Sequence, residues 1–240
     1  MRDFRQYANE EVACLICRLS MQKEPYFTSE TIHAKAQSML ASVSEFRRKH
    51  ENIRFHPERA ALLVLDMQNY FLRADSHAFI PSAPAILPGI QSLIKVFNAH
   101  ERPVIYTRHA NTPEEAGPMA KWWQDLIRPD TAGSKIAAGL DVSQGKIVRK
   151  SQYDAFYGTS LEADLRASGV GQVVITGVMA HLCCETTARS AFTHGFEVFF
   201  TIDGTATYTE AFHLATLLNL SHGFAVPFLC EEIFETFEDA

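Results

Sequence analysis

Two adjacent cysteines, Cys183 and Cys184, lie in the stretch VVITGVMAHLCCETTARSAF at residues 173–192. The apolar run at residues 173–175 predicts a short buried strand, and the residues after it predict a tight turn and then a helix. Cys183 would lie in the first turn of that helix, where unpaired N–H groups and the positive end of the helix dipole favour a thiolate. Because the thiolate is the nucleophilic form, the sequence predicts a nucleophile at Cys183.

Helical spacing separates the roles of the two cysteines. Small residues recur at intervals of four, four and three, which is the pattern of a helix face that packs against a core. These residues are Ala180, Cys184, Ala188 and Ala191. Cys183 lies one step off this face, so we assign Cys184 to the core and Cys183 to the chemistry. The alternative for either cysteine is a role as a small buried hydrophobic residue.

Strands and helices alternate along the chain from residue 60 onward. Mostly apolar runs predict six strands, because strands buried on both faces need apolar residues at every position. The predicted strands cover residues 61–66, 103–107, 146–150, 173–175, 196–202 and 224–229. Predicted helices cover residues 86–100, 159–168 and 210–222, with another after the fourth strand and a short helical or frayed tail at 231–240. This alternation predicts an α/β fold with a mostly parallel sheet covered by helices.

The carboxyl ends of the predicted strands collect residues that can do chemistry together. In open parallel sheets the functional site lies outside these ends. Asp66 follows the first strand, Lys150 ends the third, and residues 177–183 follow the fourth. Alone, Asp66 would be typical of a turn and Lys150 of a solvated surface, so their joint placement with Cys183 indicates the site. No G-x-G-x-x-G or P-loop motif follows a strand, which argues against a nucleotide site.

The first 55 residues are predicted to form a helical extension before a domain at residues 56–240. Two apolar stripes at helical spacing predict two helices there. The stripes are Val12, Leu15, Ile16 and Leu19, and then Ile32, Ala36, Met39, Leu40, Val43 and Phe46. Because two narrow stripes make too small a core to stand alone, we expect them in a subunit interface of a homo-oligomer, a dimer or a tetramer.

Cys14 and Cys17 form a C-x-x-C pair inside the first predicted helix, away from its apolar stripe. We interpret them as structural or interfacial cysteines. A redox or metal role is the lesser alternative, because no β–α–β pattern surrounds the pair and no second ligand pair is spaced to complete a site.

Composition narrows the classes of function. The 240 residues are 47% hydrophobic and 21% charged, which is typical of a globular domain. A net charge of −6 argues against nucleic acid as a partner. No apolar run approaches the ~20 residues of a membrane span, and no signal peptide is expected. The five cysteines form no regular framework, so we expect a protein of the reducing cytoplasm. The partner that we expect is a small-molecule substrate, not a nucleic acid or a membrane.

Three blocks of the sequence resemble the isochorismatase-like cysteine hydrolases, over roughly residues 59–232. The blocks are ALLVLDMQNYF, VRKSQYDAFYGTSLEADLR and TGVMAHLCCETTARSAF. The resemblance implies a three-layer α/β/α sandwich with a six-stranded parallel sheet. It also implies a catalytic set of Asp66, Lys150 and Cys183, one from each block. The N-terminal helices lie outside it.

The chemistry that this resemblance implies fits the residue types. Asp66 would take the proton of Cys183, and Lys150 would hold the thiolate by its charge. Cys183 would attack a carbonyl carbon and form an acyl-enzyme, which water resolves. The family also has a non-proline cis peptide, here Val178–Met179, which would aim the N–H groups of Met179 and Cys183 at a developing oxyanion.

Two departures from members of this family bear on the substrate. Nicotinamidases hold a metal through an Asp-x-His pair after the second strand, whereas residues 107–110 read Thr-Arg-His-Ala here, so we expect neither a metal nor another cofactor. Isochorismatases share the Ala180-His181 pair and the pattern at residues 153–156, but they have glycine at the position of Cys183. The chain thus combines an isochorismatase-like frame with the thiol of the amide hydrolases.

Five side chains are candidates for substrate binding. They are His109, Trp123, Tyr153, Phe156 and His181. A structural role is as well supported as a binding role for each of the two histidines. A further aromatic set would either wall a pocket or pack as a lid, and it comprises Phe71, Trp122, Trp123 and Tyr157.

The sequence supports three functional hypotheses. The first is an enzyme, a thiol hydrolase that cleaves a small amide, carbamoyl or related C–N bond. The second is an isochorismatase that uses Asp66 as general acid and leaves Cys183 idle. The third is a catalytically silent scaffold, which the intact set of Asp66, Lys150 and Cys183 disfavours.

Overall fold

The computed structural model describes residues 22–123 and 125–238. Six strands form one sheet in the order β3-β2-β1-β4-β5-β6, and every neighbouring pair is parallel. The strands are β1 Ala60–Leu65, β2 Val104–His109, β3 Lys146–Lys150, β4 Gln172–Val178, β5 Glu197–Ala206 and β6 Val226–Phe228. The predicted parallel α/β fold is confirmed. The strand order reverses between β1 and β4, and this switch point is where such sheets bind ligands.

Helices flank the sheet, and every residue of β1 is buried, as both faces of a covered parallel sheet require. The longer helices are α1 Ile32–Ser42, α2 Ser44–Lys49, α4 Ala83–Ala99, α7 Leu161–Ala167, α8 Glu185–Thr193, α9 Glu210–Gly223 and α10 Cys230–Glu238. Single turns are α3 Asn69–Leu72, α5 Pro113–Ala116 and α6 Met119–Trp122. A 3₁₀ turn covers Pro57–Arg59, and a π turn covers Ala180–Cys184. No helix in the described residues is both long and apolar enough to cross a bilayer.

β3 has the predicted bounds, and the other five strands differ from the prediction at one or both ends. β5 and β6 show why. β6 is shorter, because the N–H groups of Phe224 and Ala225 both donate to the carbonyl of Leu220 and close helix α9 instead. β5 runs on to Ala206, with a shift of register between Ile175 and Gly177 of its partner strand. Hydrogen bonds at the end of helix α9 set the start of β6, and pairing with the end of β4 beyond the register shift extends β5. An apolar pattern reports neither effect.

Helix α1 packs on its own subunit. Ala36, Met39 and Val43 are buried and join the same hydrophobic core as the sheet. The predicted burial of this stripe in a subunit interface is therefore wrong for this helix, because the core of the same chain already covers it. The first predicted helix, with Cys14 and Cys17, lies outside the described residues, and the domain division at residue 55 stays a prediction.

The ends of β1 and β4 approach each other closely at the switch point. Asp66 has a φ of 52°, and Gly177, in the ladder position opposite Leu65, has a φ of 104°. A Cβ at position 177 would lie 2.0 Å from the carbonyl oxygen of Leu65. Glycine is therefore required at position 177, and the same close approach fixes the backbone that carries Asp66.

Replacing Gly177 by alanine should lower the free energy of unfolding by about 2 kcal/mol or more, because both the positive φ and the backbone contact oppose a Cβ. Urea denaturation followed by circular dichroism measures this change. Gly223→Ala is a suitable control, because a Cβ at position 223 meets nothing within 4 Å. Equal denaturation midpoints for the two variants would contradict this prediction, because they would show that the backbones of β1 and β4 can move apart without a loss of stability.

Candidate active site

The carboxyl edge of the sheet brings the three predicted catalytic residues together. Asp66 directly follows β1, Lys150 is the last residue of β3, and Cys183 lies in the π turn after β4. The Nζ atom of Lys150 lies 2.8 Å from Oδ2 of Asp66 and 3.3 Å from Sγ of Cys183. All three residues are buried, with exposed fractions of 0%, 1% and 6% in that order. One ammonium group therefore links the carboxylate to the thiol.

Thr107 fixes the orientation of the Asp66 carboxylate. Its hydroxyl donates to Oδ1 of Asp66 at 2.6 Å and accepts the backbone N–H of Asp66 at 3.0 Å. Oδ2 is left to face Lys150 and Cys183. The sequence places Thr107 at the end of the second strand but gives no sign of this double contact, which depends on the register between β1 and β2.

Lys150 is held by backbone oxygens as well as by its anion. Its ammonium group donates to the carbonyl of Gln152 at 2.9 Å and to that of Tyr153 at 3.1 Å. A fully buried charge is tolerated only where it is paired and hydrogen-bonded, and Lys150 meets both conditions. The side chain is therefore fixed as well as charged.

The three groups form a neutral cluster when the thiol keeps its proton. Burial alone would raise the pKa of Asp66, but the Lys150 ammonium lowers it below its usual value. Burial alone would lower the pKa of Lys150, but Asp66 and then Cys183 raise it. Burial raises the pKa of the Cys183 thiol to about 12. Loss of a proton from the cluster would leave two anions beside one cation, whereas transfer of the proton from Sγ to Asp66 keeps the net charge at zero.

The raised pKa of Cys183 corrects one expectation from the sequence. A helix N-terminus was expected to favour a resting thiolate, but Cys183 is enclosed, and removal from water outweighs the helix dipole and the Lys150 charge. The resting form is the thiol. Cys184 is fully buried and joins the hydrophobic core, as its helical spacing predicts.

The activity of such a cluster should depend little on pH over the neutral range. The pKa of Asp66 lies below its usual value and that of Cys183 at about 12, so neither group titrates near neutrality. With an uncharged substrate, kcat/KM should stay flat between about pH 6 and 9, and it should fall in acid as Asp66 gains a proton. A tenfold rise between pH 7 and 9, as an ordinary thiol with a pKa of about 8.5 would give, would contradict the neutral cluster.

His109 lies beside the cluster and is 7% exposed. Its Nδ1 lies 3.3 Å from Nζ of Lys150, and its Nε2 lies 3.3 Å from Nδ2 of Asn111. Burial, and then the charge of Lys150, lower the pKa of His109 to about 4. At neutral pH His109 is therefore an uncharged polar wall residue.

A cavity of about 470 Å³ opens in front of the thiol. Its size falls within the usual range for small-molecule sites. Aromatic and apolar side chains make most of its wall, with a few polar groups. The lining includes Lys23, Tyr70, Phe71, His77, His109, Asn111, Met119, Trp122, Trp123, Asp125, Tyr153, Met179, Leu182, Cys183 and Tyr208.

Three of the five predicted substrate-binding residues line this cavity: His109, Trp123 and Tyr153. Trp123 and Tyr153 also contact each other, because the indole N–H donates to the phenol oxygen at 2.6 Å. Phe71 and Trp122, from the predicted aromatic wall, line the cavity too. Together these side chains give the cavity a largely aromatic wall.

Phe156 and His181 are not among the side chains that line the cavity. Phe156 stacks on His194 with 5.0 Å between the ring centres. His181 stacks on Phe212 at 4.4 Å and bonds through Nδ1 to the hydroxyl of Thr207. Both side chains therefore have structural roles in this structure.

Tyr157 also lies outside the cavity lining and is 65% exposed. The peptide bond between Val178 and Met179 is cis, and Met179 borders the cavity next to Cys183. Sequence reasoning missed Lys23, Tyr70, Asn111 and Tyr208. Tyr70 lies in the single turn α3, and Lys23, Asn111 and Tyr208 lie outside helices and strands. No periodic pattern marks such residues.

A family model for the Isochorismatase domain matches residues 60–232. The chain therefore belongs to the isochorismatase family, and it is an isochorismatase-like hydrolase. It is 39% identical over 197 residues to Nicotinamidase 3 of Arabidopsis thaliana, covering 79% of this chain and 96% of that protein. It is 31% identical over 166 residues to enterobactin synthase component B of Escherichia coli, covering 68% of this chain and 58% of that protein.

Solved structures show the same fold. A cysteine hydrolase from Pseudomonas syringae pv. phaseolicola aligns with a TM-score of 0.74 and 24% identity over 77% of this chain and 95% of that one. Pyrazinamidase of Pyrococcus horikoshii, in a complex with zinc, aligns with a TM-score of 0.64 and 26% identity over 71% and 99%. The resemblance drawn from the three sequence blocks is confirmed.

The residues near the thiol fit a metal ion poorly. Ligand atoms of Asp66, His109 and Cys183 lie within 4.8 Å of one another, which alone could suit a cation. The Lys150 ammonium, however, lies within 3.3 Å of an atom of each of them and already supplies the positive charge. Thr107, two residues before His109, is engaged with Asp66 through its hydroxyl. A second cation here would be repelled by the first.

Proposed function

We propose that the protein is a cysteine hydrolase that cleaves the C–N bond of a small amide or carbamoyl compound. One observation carries this proposal: the Cys183 thiol lies in the cavity wall and contacts an ammonium that is paired with a carboxylate. A nucleophile, a proton acceptor and a fixed charge are the parts that acyl transfer needs. The similarity to Nicotinamidase 3 of Arabidopsis thaliana supports an amide substrate and makes nicotinamide the first compound to test.

The proposed reaction begins with a proton transfer inside the cluster. Sγ of Cys183 gives its proton to Asp66 and attacks the carbonyl carbon, so that a C–S bond forms and the carbonyl oxygen becomes an oxyanion. Lys150 holds the sulfur by its charge throughout. The N–H groups of Met179 and Cys183 are the proposed donors to the oxyanion.

Collapse of the oxyanion breaks the C–N bond. Asp66 returns its proton to the nitrogen, ammonia or an amine leaves, and a thioester remains on Cys183. Water then gives a proton to Asp66 and attacks the thioester, and the products are a carboxylic acid and the free thiol. As the C–S bond breaks, Asp66 passes that proton to the leaving sulfur, which restores the thiol and the ionised carboxylate. Asp66 thus acts as base and then as acid in each half of the reaction.

Isochorismate cleavage is the alternative reaction, and the match of residues 60–232 to the Isochorismatase domain supports testing it. It needs an acid that donates a proton to the vinyl ether. The pKa of Asp66 is lowered by Lys150, so this carboxyl is ionised at neutral pH and is a weak source of that proton. The electrostatics of the site therefore favour the amide reaction.

Assays with both substrate classes test the proposal. Nicotinamide and a panel of small aliphatic and aromatic amides should release ammonia, measured with a coupled assay, while isochorismate should turn over far more slowly. Efficient isochorismate cleavage without amide turnover would replace the proposed function by the alternative. No turnover of either class would support the scaffold hypothesis.

A further inference from the structure

A segment that precedes the family domain forms part of the wall of the cavity. Lys23 lines the same cavity as Cys183, although the match to the Isochorismatase domain begins only at residue 60. The family match therefore says nothing about this side chain.

Buried contacts fix the backbone next to Lys23. The N–H of Glu24 donates to the carbonyl of Tyr208 at 2.8 Å. The Tyr26 hydroxyl accepts the N–H of Thr207 and bonds to His213, with both distances at 3.0 Å. Tyr26 is only 5% exposed. Lys23 is therefore anchored close to the cavity before any substrate binds.

In the part of the chain that the structure describes, the Lys23 ammonium contacts only neutral groups. It donates to the carbonyl of His77 and lies 4.4 Å from the centre of the Tyr208 ring. Among residues 22–123 and 125–238, no carboxylate lies within 4.0 Å of it. Its charge therefore has no counter-ion in the described residues. An ammonium has three N–H donors, so the bond to His77 leaves others for a ligand.

Within the described residues, no charged group in or beside the cavity wall forms an ion pair with Lys23. Asp66, Lys150 and the Cys183 thiol sum to zero, and His109 is neutral because its pKa is lowered to about 4. Asp125 is the acidic member of the wall, and its Oδ1 accepts the N–H of Leu126. Lys23 is thus a cation that faces a largely apolar cavity without a paired anion.

We propose that the preferred substrates are amides that also carry a carboxylate, with Lys23 binding the carboxylate while Cys183 attacks the amide carbonyl. This inference rests on the proposed function. A cavity of about 470 Å³ has room for a second group beyond a minimal amide. A charged hydrogen bond of this kind changes affinity by about tenfold or more.

Matched pairs of amides test the proposal. Each pair joins a carboxylate-bearing amide to an uncharged amide of similar shape, such as 4-carbamoylbenzoate with 4-methylbenzamide and succinamate with 4-methylpentanamide. The readout is the ratio of kcat/KM for the charged member to that for the neutral one. In the wild-type protein this ratio should exceed about ten for at least one pair, and it should fall as salt is added, because exposed charge pairs are screened.

Lys23→Met should lower this ratio about tenfold, mainly through KM. Lys121→Met is the matched control, because Lys121 is exposed and lies outside the cavity lining; it should leave the ratio unchanged. Equal losses for both members of a pair would overturn the proposal and would indicate that Lys23 pairs with Asp125 or only shapes the wall. A wild-type preference for the neutral amides would overturn it as well.

A binding measurement separates this inference from the proposed reaction. Trp122 and Trp123 line the cavity, so their fluorescence can report the binding of terephthalate and of its uncharged analogue 4-methylacetophenone. If no amide is turned over, the proposed function fails, yet tenfold weaker terephthalate binding to Lys23→Met would still support the anion site. Equal terephthalate affinity in wild type and Lys23→Met would end the inference whatever the reaction is.

Discussion

Replacing Cys183 by alanine should abolish amide hydrolysis, with kcat reduced on the order of 10,000-fold or more. Without Sγ no thioester can form, and the remaining groups offer only a polarised carbonyl to water. The Asp66–Lys150 ion pair is left intact, so the variant should still fold. Ammonia release at saturating substrate measures the loss, and circular dichroism checks the fold.

Cys184→Ala is the matched control for this prediction. Cys184 is adjacent, fully buried and part of the core, so its loss should lower stability modestly and leave kcat within a few-fold. Residual amide turnover in Cys183→Ala near that of Cys184→Ala would refute the thiol mechanism. Unchanged isochorismate cleavage in Cys183→Ala, with no amide activity in the wild type, would identify the alternative enzyme.

Replacing Asp66 by asparagine should lower kcat/KM for amides on the order of 1,000-fold. The thiol loses its proton acceptor, and the leaving nitrogen loses its proton donor. The change should also destabilise the protein by about 3 kcal/mol, because the buried Lys150 ammonium then has no anion beside it. Rate assays and urea denaturation measure the two effects separately.

The double variant Asp66→Asn with Lys150→Met distinguishes the two roles of the pair. Removing both charges should restore a large part of the stability, because no unpaired charge remains buried, whereas activity should stay absent. The reverse pattern, stability lost in full and activity partly regained, would mean that Asp66 is structural and that another group accepts the proton.

Much of the fold could be predicted because buried parallel strands need apolar residues at nearly every position. The run at residues 61–66 shows this, since all six residues of β1 are buried. The end of β6 could not be predicted, because the carbonyl of Leu220 captures two N–H groups that an extended reading assigns to the strand. The packing of α1 on its own subunit also could not be predicted, because an apolar stripe does not show which surface will cover it.

The candidate site also has features that the sequence predicts and features that it does not. Asp66, Lys150 and Cys183 could be found because strand ends meet at one edge of a parallel sheet, and three sequence blocks supported the choice. The direction of the His181 side chain could not be predicted, because the π turn that carries it places its ring against Phe212. The sign of the Cys183 pKa shift depends on enclosure by residues from several elements, which no local pattern contains.

The most direct test of the central claim is intact-protein mass spectrometry on reactions quenched in acid at times down to a few milliseconds. The experiment uses the Cys184→Ala variant, because removal of the neighbouring thiol lets an adduct be assigned to Cys183. The proposed mechanism predicts a mass gain equal to the acyl group of the amide, located to Cys183 by fragmentation, which disappears when substrate is exhausted and is absent in Cys183→Ala. Full turnover with no adduct at any time, or with an adduct at another residue, would contradict an acyl-enzyme on Cys183.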